Sequence, residues 1–266
     1  MRLWACKPRE IFWSGKSQAL YKRLFEDLVD VAEEYELRQN PQVIITDLQL
    51  AAINATKREF QDVVNKVCFF HTAQYIWRKI QSSGLASHYS ADERFSLKLR
   101  HLSALAFMPA GEIPAAFDEL KLHMPEQASV VTEWFESTYV HGLFRRRSRA
   151  GAARSPPLFP PWMWSVYESM HEGYPRTQNS VEACHRRWET VVGKAHMSVY
   201  RLVEEFRKEQ RRVQTEWKRV LRGEPSTSRP HAVASHDERI PNIISERAAR
   251  PHMMDYLRAI AHNISL

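Results

Sequence analysis

The run Val43-Ile44-Ile45-Thr46-Asp47 decides the fold class of this 266-residue chain. Its apolar part predicts a short buried strand, and helical patterns lie on either side, at residues 17–37 and 48–60. A buried strand between helices indicates an α/β fold. Because open α/β sheets bind ligands beyond the carboxyl ends of their strands, Asp47 lies where such a site is expected.

Two interpretations of Asp47 follow from its position. It can cap the helix at residues 48–60, because a carboxylate at a helix N-terminus accepts amide hydrogen bonds and complements the helix dipole. It can also bind a divalent cation, since carboxylate oxygens are hard ligands. Local propensity alone favours the cap.

Two further motifs carry candidate site residues. Cys68-x-x-His71 ends the apolar run Val67–His71, which predicts a strand followed by a helix at residues 72–81. Far downstream, Glu182 falls in the first turn of a helix that Asn179 or Ser180 could cap. If the fold brings Glu182 next to Asp47, the two carboxylates can share a divalent cation, as phosphoryl-transfer chemistry requires.

Three stretches together carry a family resemblance: Ile-Ile-Thr-Asp-Leu-Gln-Leu-Ala-Ala-Ile-Asn-Ala at residues 44–55, Cys-Phe-Phe-His-Thr-Ala-Gln-Tyr-Ile-Trp-Arg-Lys-Ile-Gln at 68–81, and Pro-Arg-Thr-Gln-Asn-Ser-Val-Glu-Ala-Cys-His-Arg-Arg-Trp at 175–188. In this order they resemble the Mutator-like element (MULE) transposases. The resemblance extends from Gly15 to Glu216. It departs from the family at Ala183-Cys184, where family members often have Gly-Trp.

The resemblance implies an α/β, RNase H-like (DDE transposase) core that is interrupted by a large all-helical insertion between its second and third acidic residues. In that family, three acidic residues hold two Mg²⁺ or Mn²⁺ ions, and by resemblance Asp47 is the second catalytic acid and Glu182 the third. Five further residues would line the site or contact DNA: Cys68, His71, Asn179, His185 and Arg186.

The first acidic residue of the family pattern has no counterpart in Met1–Ser14, which contains no Asp. Glu10 is the carboxylate of that stretch, but Pro8 beside it is a poor strand residue. Asp27 and Asp30 lie on the polar side of the helix at residues 17–37. We therefore expect a core truncated at its N-terminus and a weak or incomplete metal site.

The same pattern predicts four segments. Residues 1–82 form the N-terminal part of the core, 83–176 the helical insertion, 177–222 the C-terminal part with the third acid, and 223–266 a linker and tail. Within the insertion, Arg145–Pro161 predicts a mobile loop that could meet phosphates, and the aromatic residues of Trp162–Tyr167 are predicted to lie in the core. Long and short helices are expected at residues 198–221 and 253–264.

Composition and charge bear on partners and compartment. The chain has 38 Lys and Arg against 31 Asp and Glu, a net charge of +7, and a pI near 9.4, which suits a polyanionic partner. Three cysteines form no disulfide framework, and no apolar run is long enough to span a bilayer. Structural zinc is not expected, because the adjacent Cys184 and His185 point in divergent directions on a helix and would not both join Cys68 and His71.

These observations lead us to expect a transposase-derived nuclear protein that binds DNA largely without sequence preference and has little or no catalytic activity. No membrane partner is expected, and a homo-oligomer is compatible with the sequence. Two alternatives stay open: an active transposase encoded by a longer gene, and a non-enzymatic protein-interaction or structural role.

Overall fold

The computed structural model describes residues 15–34, 36–144, 154–172, 190, 198–224, 239–249 and 252–266. The described residues fall into two compact units. The first takes its residues from Met1–Ile44, Gln49–Val64 and Gln178–Pro230, and the second from Ile45–Leu48, Asn65–Thr177 and His231–Leu266. None of the described helices is both long enough and apolar enough to cross a bilayer.

Two short parallel strands form the sheet of the described chain. Strand β1 spans Val43–Thr46, as predicted, and strand β2 spans Val64–Val67. The amide of Val64 donates to the carbonyl of Gln42 and the amide of Cys68 to that of Thr46, so both strands advance in the same direction. Helix α2, Leu50–Glu59, supplies the crossover that a parallel pair needs. The RNase H-like core stays a prediction.

Helix α1, Gln18–Glu34, packs on α2 within the first unit. Val31 and Ala32 are its buried residues, and the ring of Phe25 meets that of Phe60 edge-on at 5.7 Å. The same unit contains the long, strongly charged helix α10, Val199–Leu221. Both helices lie close to the bounds that their apolar periodicity predicts.

Most of the described elements of the second unit are helices, and most of these helices fall within the predicted insertion. In chain order they are α3 Phe69–Ser82, α4 Ala86–Ala91, α5 Glu93–Ala104, α6 Ile113–Lys121, α7 Ser129–Phe135, α8 Pro161–Trp164, α9 Tyr167–His171 and α11 Met253–Ala261. Asp92 caps α5 through its side chain, which accepts from the amides of Arg94 at 2.8 Å and Phe95 at 3.1 Å.

The boundary between β2 and α3 corrects the prediction for Val67–His71. The strand ends at Val67 and the helix begins at Phe69, so the apolar run is the start of a helix. The buried residues of α3 recur at intervals of three and four, at Phe69, Thr72, Ala73, Ile76 and Ile80. That spacing belongs to one helix face, whereas a short apolar run viewed alone fits a strand or a helix.

An aromatic cluster fills the core of the second unit. Trp164 is fully buried, and its indole nitrogen donates to the carbonyls of Tyr139 and Phe159, each at 3.1 Å. Phe117 and Phe135 stack nearby with ring centroids 5.9 Å apart. The aromatic run after Pro161 therefore contributes core, as predicted, although Trp162 keeps 44% of its surface exposed.

Part of the predicted loop Arg145–Pro161 is packed against the insertion. Phe159 is buried, and Arg154 pairs with Phe144 in an isolated antiparallel bridge. The carboxylate of Glu136 accepts from Lys121 at 2.5 Å and from Arg154 at 2.7 Å. Burial raises the pKa of Glu136, but the hydrogen bonds from these two cations outweigh burial and lower it overall. The prediction of an unpacked loop is wrong for residues 154–160, and residues 145–153 lie outside the described part of the chain.

The C-terminal residues contribute to the core of the second unit. Helix α11 packs on α5 and buries Tyr256, Leu257 and Ile260. The hydroxyl of Tyr256 donates to the carbonyl of Phe107 at 2.5 Å. The structure thus groups residues 239–266 with the insertion, whereas the sequence pattern predicted a linker and tail from residue 223. The other predicted boundaries stay predictions.

Candidate functional site

The carboxyl ends of β1 and β2 form one edge of the parallel pair. Asp47 directly follows β1, and Cys68 directly follows β2. The two ends are held in register because the amide of Cys68 donates to the carbonyl of Thr46 at 2.9 Å. Two predicted site residues therefore meet at the edge where parallel α/β sheets place ligands.

Asp47 is not the N-cap of the following helix. Helix α2 begins at Leu50, two residues later than predicted, and Gln49 is its N-cap residue. The carbonyl of Gln49 accepts the first helical hydrogen bonds, from the amides of Ala52 and Ile53. The capping interpretation of Asp47 is therefore wrong, and the half-buried carboxylate lies in the segment between strand and helix.

The side chain of Gln49, the N-cap residue of α2, makes hydrogen bonds within the first unit. The side-chain oxygen of Gln49 accepts from the hydroxyl of Tyr21 at 2.7 Å, and its amide nitrogen donates to the carbonyl of Lys16 at 3.2 Å. These hydrogen bonds use the side chain of Gln49, so it makes no cap to α2.

Two buried polar atoms near this edge lack hydrogen-bond partners among the described residues. They are the hydroxyl oxygen of Thr46 and the Nδ1 atom of His71. Leaving a buried polar atom unpaired costs about 1–3 kcal/mol, and such atoms are uncommon in folded proteins. Their position, one beside Asp47 and one in the first turn of α3, marks this edge as a place that can accept a polar ligand.

Cys68 and His71 differ in their surroundings. Cys68 is completely buried as the N-cap residue of α3, where its carbonyl accepts from the amide of Thr72 at 3.2 Å. His71 is half-buried, and its ring contacts that of Phe70 edge-on at 5.6 Å. The buried thiol packs as a small core group, whereas the imidazole of His71 is half-buried.

Lys66 is a cation near this edge that sequence reasoning missed. It lies on β2, and its ammonium group donates to the carbonyls of Trp162 at 2.8 Å and Ser165 at 3.5 Å. Burial lowers the pKa of Lys66, and the charges of Glu168 and Glu172 oppose that effect. A single charged residue within the run Val63-Val64-Asn65-Lys66-Val67 is the signal that could have identified it.

The remaining predicted site residues lie outside the described residues: Asn179, Glu182, His185 and Arg186. Within the described part of the chain, no group of three or more His, Cys, Asp or Glu side chains is placed to hold a metal ion. The predicted pairing of Asp47 with Glu182 therefore stays a prediction. Of the predicted metal ligands, the structure places Asp47, whose oxygen donors suit Mg²⁺ or Mn²⁺.

The described residues form mostly helices and one small parallel β-α-β unit, whose carboxyl edge carries the carboxylate of Asp47. Residues 10–75, which include this unit, match the family model of the MULE transposase domain. Residues 10–75 are therefore similar to a MULE transposase domain, and this match supports, over those residues, the resemblance predicted from the sequence. No curated protein and no solved structure matches the chain.

Proposed function

We propose that this chain is a transposase-derived DNA-binding protein whose Asp47 edge descends from a site for metal-dependent DNA cleavage and strand transfer. The observation that carries the proposal is the position of Asp47. It follows a strand of a parallel pair within the segment that matches the transposase domain, and the N-cap residue of α2 is Gln49. An RNase H-like core would use this edge as its active site.

The charge of the chain supports DNA as the partner. A net charge of +7 gives a favourable long-range interaction with a phosphate backbone. Contacts of this type carry little sequence information, because phosphates are the same at every base pair. We therefore expect largely non-specific binding, with the nucleus as the compartment of action.

The donor chemistry of Asp47 suits Mg²⁺ or Mn²⁺, and by family resemblance Glu182 would be the second ligand. When bound, such a metal activates an attacking oxygen and stabilises the leaving oxygen in phosphoryl transfer. Impaired catalysis is part of the proposal. The sequence matches the acidic pattern of the family at Asp47 and Glu182, and two carboxylates hold a pair of cations poorly.

Binding of the 266-residue chain to fluorescein-labelled duplex DNA of mixed sequence tests the proposed partner. We expect the association constant to fall steeply with added salt and to be similar for unrelated sequences, because released counterions drive the interaction. Fluorescence anisotropy at several salt concentrations measures both. Absence of binding at low salt, or tight binding that salt does not weaken, would contradict the proposal.

A plasmid nicking assay with Mg²⁺ or Mn²⁺ tests the proposed impairment. We expect little nicking by the wild-type chain and none that depends on Asp47. Nicking that the Asp47→Asn substitution abolishes would show an active enzyme and would favour the active-transposase alternative. The DNA-binding proposal would be unaffected by that outcome.

A further inference from the structure

Helix α10 carries a row of four exposed side chains on one side. They are Tyr200, Arg207, Arg211 and Lys218, and Tyr200 keeps 88% of its surface exposed. Their intervals of seven, four and seven residues match whole turns of an α-helix, so they fall within an arc of about 40°. We call these four residues the α10 row.

The cations of the row differ from their neighbours in pairing. Three other cations of α10 are held by carboxylates: Lys208 by Glu205 at 2.7 Å, Arg212 by Glu209 at 2.8 Å and Arg219 by Glu224 at 3.1 Å. By contrast, Arg207, Arg211 and Lys218 make no ion pair with a described residue. Their charge is therefore available to an external anion.

The dimensions of the row suit a nucleic-acid backbone. From Arg207 to Lys218 the helix rises about 16 Å. One strand of duplex DNA carries a phosphate about every 3.4 Å along the axis, so about five phosphates lie within that length. Arginine and lysine side chains bind phosphate oxygens directly, and a tyrosine hydroxyl can donate to one.

We infer that the α10 row binds the phosphate backbone of duplex DNA. The inference rests on the proposed DNA-binding function and assigns that binding to one element. The exposed carboxylate of Glu204 lies at the margin of the row and opposes phosphate binding. Its removal is therefore expected to tighten the complex.

Two triple variants of the full chain separate the row from the general charge of the helix. The row variant is Arg207→Gln, Arg211→Gln and Lys218→Gln. The control is Lys208→Gln, Arg212→Gln and Arg219→Gln, which removes three cations that are held in ion pairs. Both variants lose the same net charge, and glutamine preserves helix propensity.

Anisotropy titrations of mixed-sequence duplex DNA against salt give the readout. Each lost phosphate contact lowers the slope of log association constant against log salt by about 0.9. We expect the magnitude of this slope to be smaller than in the wild-type chain by about two to three in the row variant and by less than about one in the control. Glu204→Gln should raise affinity, which provides a test that a folding defect cannot imitate.

The outcomes distinguish this inference from the function on which it rests. Failure of the wild-type chain to bind DNA at low salt would overturn both. If the wild-type chain binds DNA but the two triple variants show equal reductions of the salt slope, the assignment of binding to the α10 row would be overturned. The same holds if Glu204→Gln does not raise the affinity for DNA. A parallel titration with vesicles of phosphatidylcholine and phosphatidylserine tests another anionic surface, and row-dependent binding to vesicles but not to DNA would also overturn the inference.

Discussion

Gly142 occupies a backbone position that a side chain would disrupt. Its φ angle is +78°, and a Cβ atom there would lie 1.8 Å from the carbonyl oxygen of Ser155. Gly84 has a similar φ of +74°, but nothing lies within 4 Å of its Cβ position. A substitution at Gly84 therefore introduces backbone strain alone, whereas a substitution at Gly142 adds a steric clash with Ser155.

We predict that Gly142→Ala destabilises the protein more than Gly84→Ala does. The left-handed conformation alone costs an L-residue about 1–2 kcal/mol, which is the loss expected for Gly84→Ala. Gly142→Ala adds the clash with Ser155, which is backbone and cannot rotate away. Urea unfolding of both variants measures the difference in unfolding free energy. Equal losses of unfolding free energy would show that the close contact with Ser155 does not contribute.

Two buried tyrosines provide a second prediction at the residue scale. Burial raises the pKa of both Tyr139 and Tyr256. The hydroxyl of Tyr256 donates to the carbonyl of Phe107, whereas that of Tyr139 has no hydrogen-bond partner among the described residues. We expect Tyr256→Phe to cost about 1–3 kcal/mol and Tyr139→Phe to be neutral or stabilising. Thermal unfolding of the two variants tests this, and the reverse order would contradict the assignment.

Asp47 shows what residue-level reasoning could and could not predict. Its position after a strand followed from the apolar run Val43–Thr46, because the structure has a strand there. Whether it caps α2 depended on where the helix begins, and sequence patterns locate helix ends poorly. The side chain of Gln49 settles the helix start through long-range hydrogen bonds to Tyr21 and Lys16.

At the scale of elements, the contact between α5 and α11 contains a buried histidine. His101 lies on α5 with 2% of its surface exposed, and its Nδ1 atom lies 2.6 Å from the carbonyl oxygen of Leu97. Burial lowers the pKa of His101 below 6.5, and the hydrogen bond to Leu97 offsets only part of that effect. Positive charges on Lys98 and Arg258 lower the pKa further.

This histidine predicts a loss of stability on mild acidification. Above pH 6.5 both folded and unfolded chains carry neutral His101, so its contribution is fully present. As the pH falls below 6.5, the unfolded chain binds a proton that the folded protein resists, and stability falls until the pH reaches the folded pKa. Each pH unit between the two pKa values costs about 1.4 kcal/mol. Glu136, whose pKa is lowered from 4.5, contributes only at lower pH.

Urea unfolding between pH 8 and pH 5 measures the effect of His101. His101→Gln should flatten the dependence of the unfolding free energy on pH across this range. His123→Gln is the matched control, because His123 is exposed. An unchanged pH dependence in His101→Gln would contradict the role assigned to this side chain.

Most elements of the insertion follow from the periodicity of their apolar residues. Helices α5 and α6 lie within the segment predicted to be a helical insertion, and one face of each is buried. The run Val67–His71 was assigned to a strand because a short apolar segment has no period of its own. The run belongs to a helix because Ile76 and Ile80, two to three turns later, lie on the same buried face as Phe69.

At the scale of the whole molecule, the similarity of residues 10–75 to a transposase domain could be predicted and part of the packing could not. The order of three motifs predicted the resemblance to the MULE transposases, and the family model matches residues 10–75, which contain the first motif and part of the second. The packing of α11 on α5 was missed because the two helices are far apart in sequence and no local pattern links them. Lys66 was missed for the same reason, since its partners lie at Trp162 and Ser165.

The affinity of the chain for Mn²⁺, followed by water proton relaxation, tests most directly whether Asp47 marks a metal site. Asp47→Asn removes one charge at the sheet edge. Asp62→Asn removes the same charge at an exposed turn, where a φ of 63° suits asparagine equally well. We predict that Asp47→Asn weakens Mn²⁺ binding at least about tenfold, a loss of about 1.4 kcal/mol, and that Asp62→Asn leaves it unchanged. Equal affinities in the wild-type chain and both variants would contradict the assignment of Asp47 to a metal site.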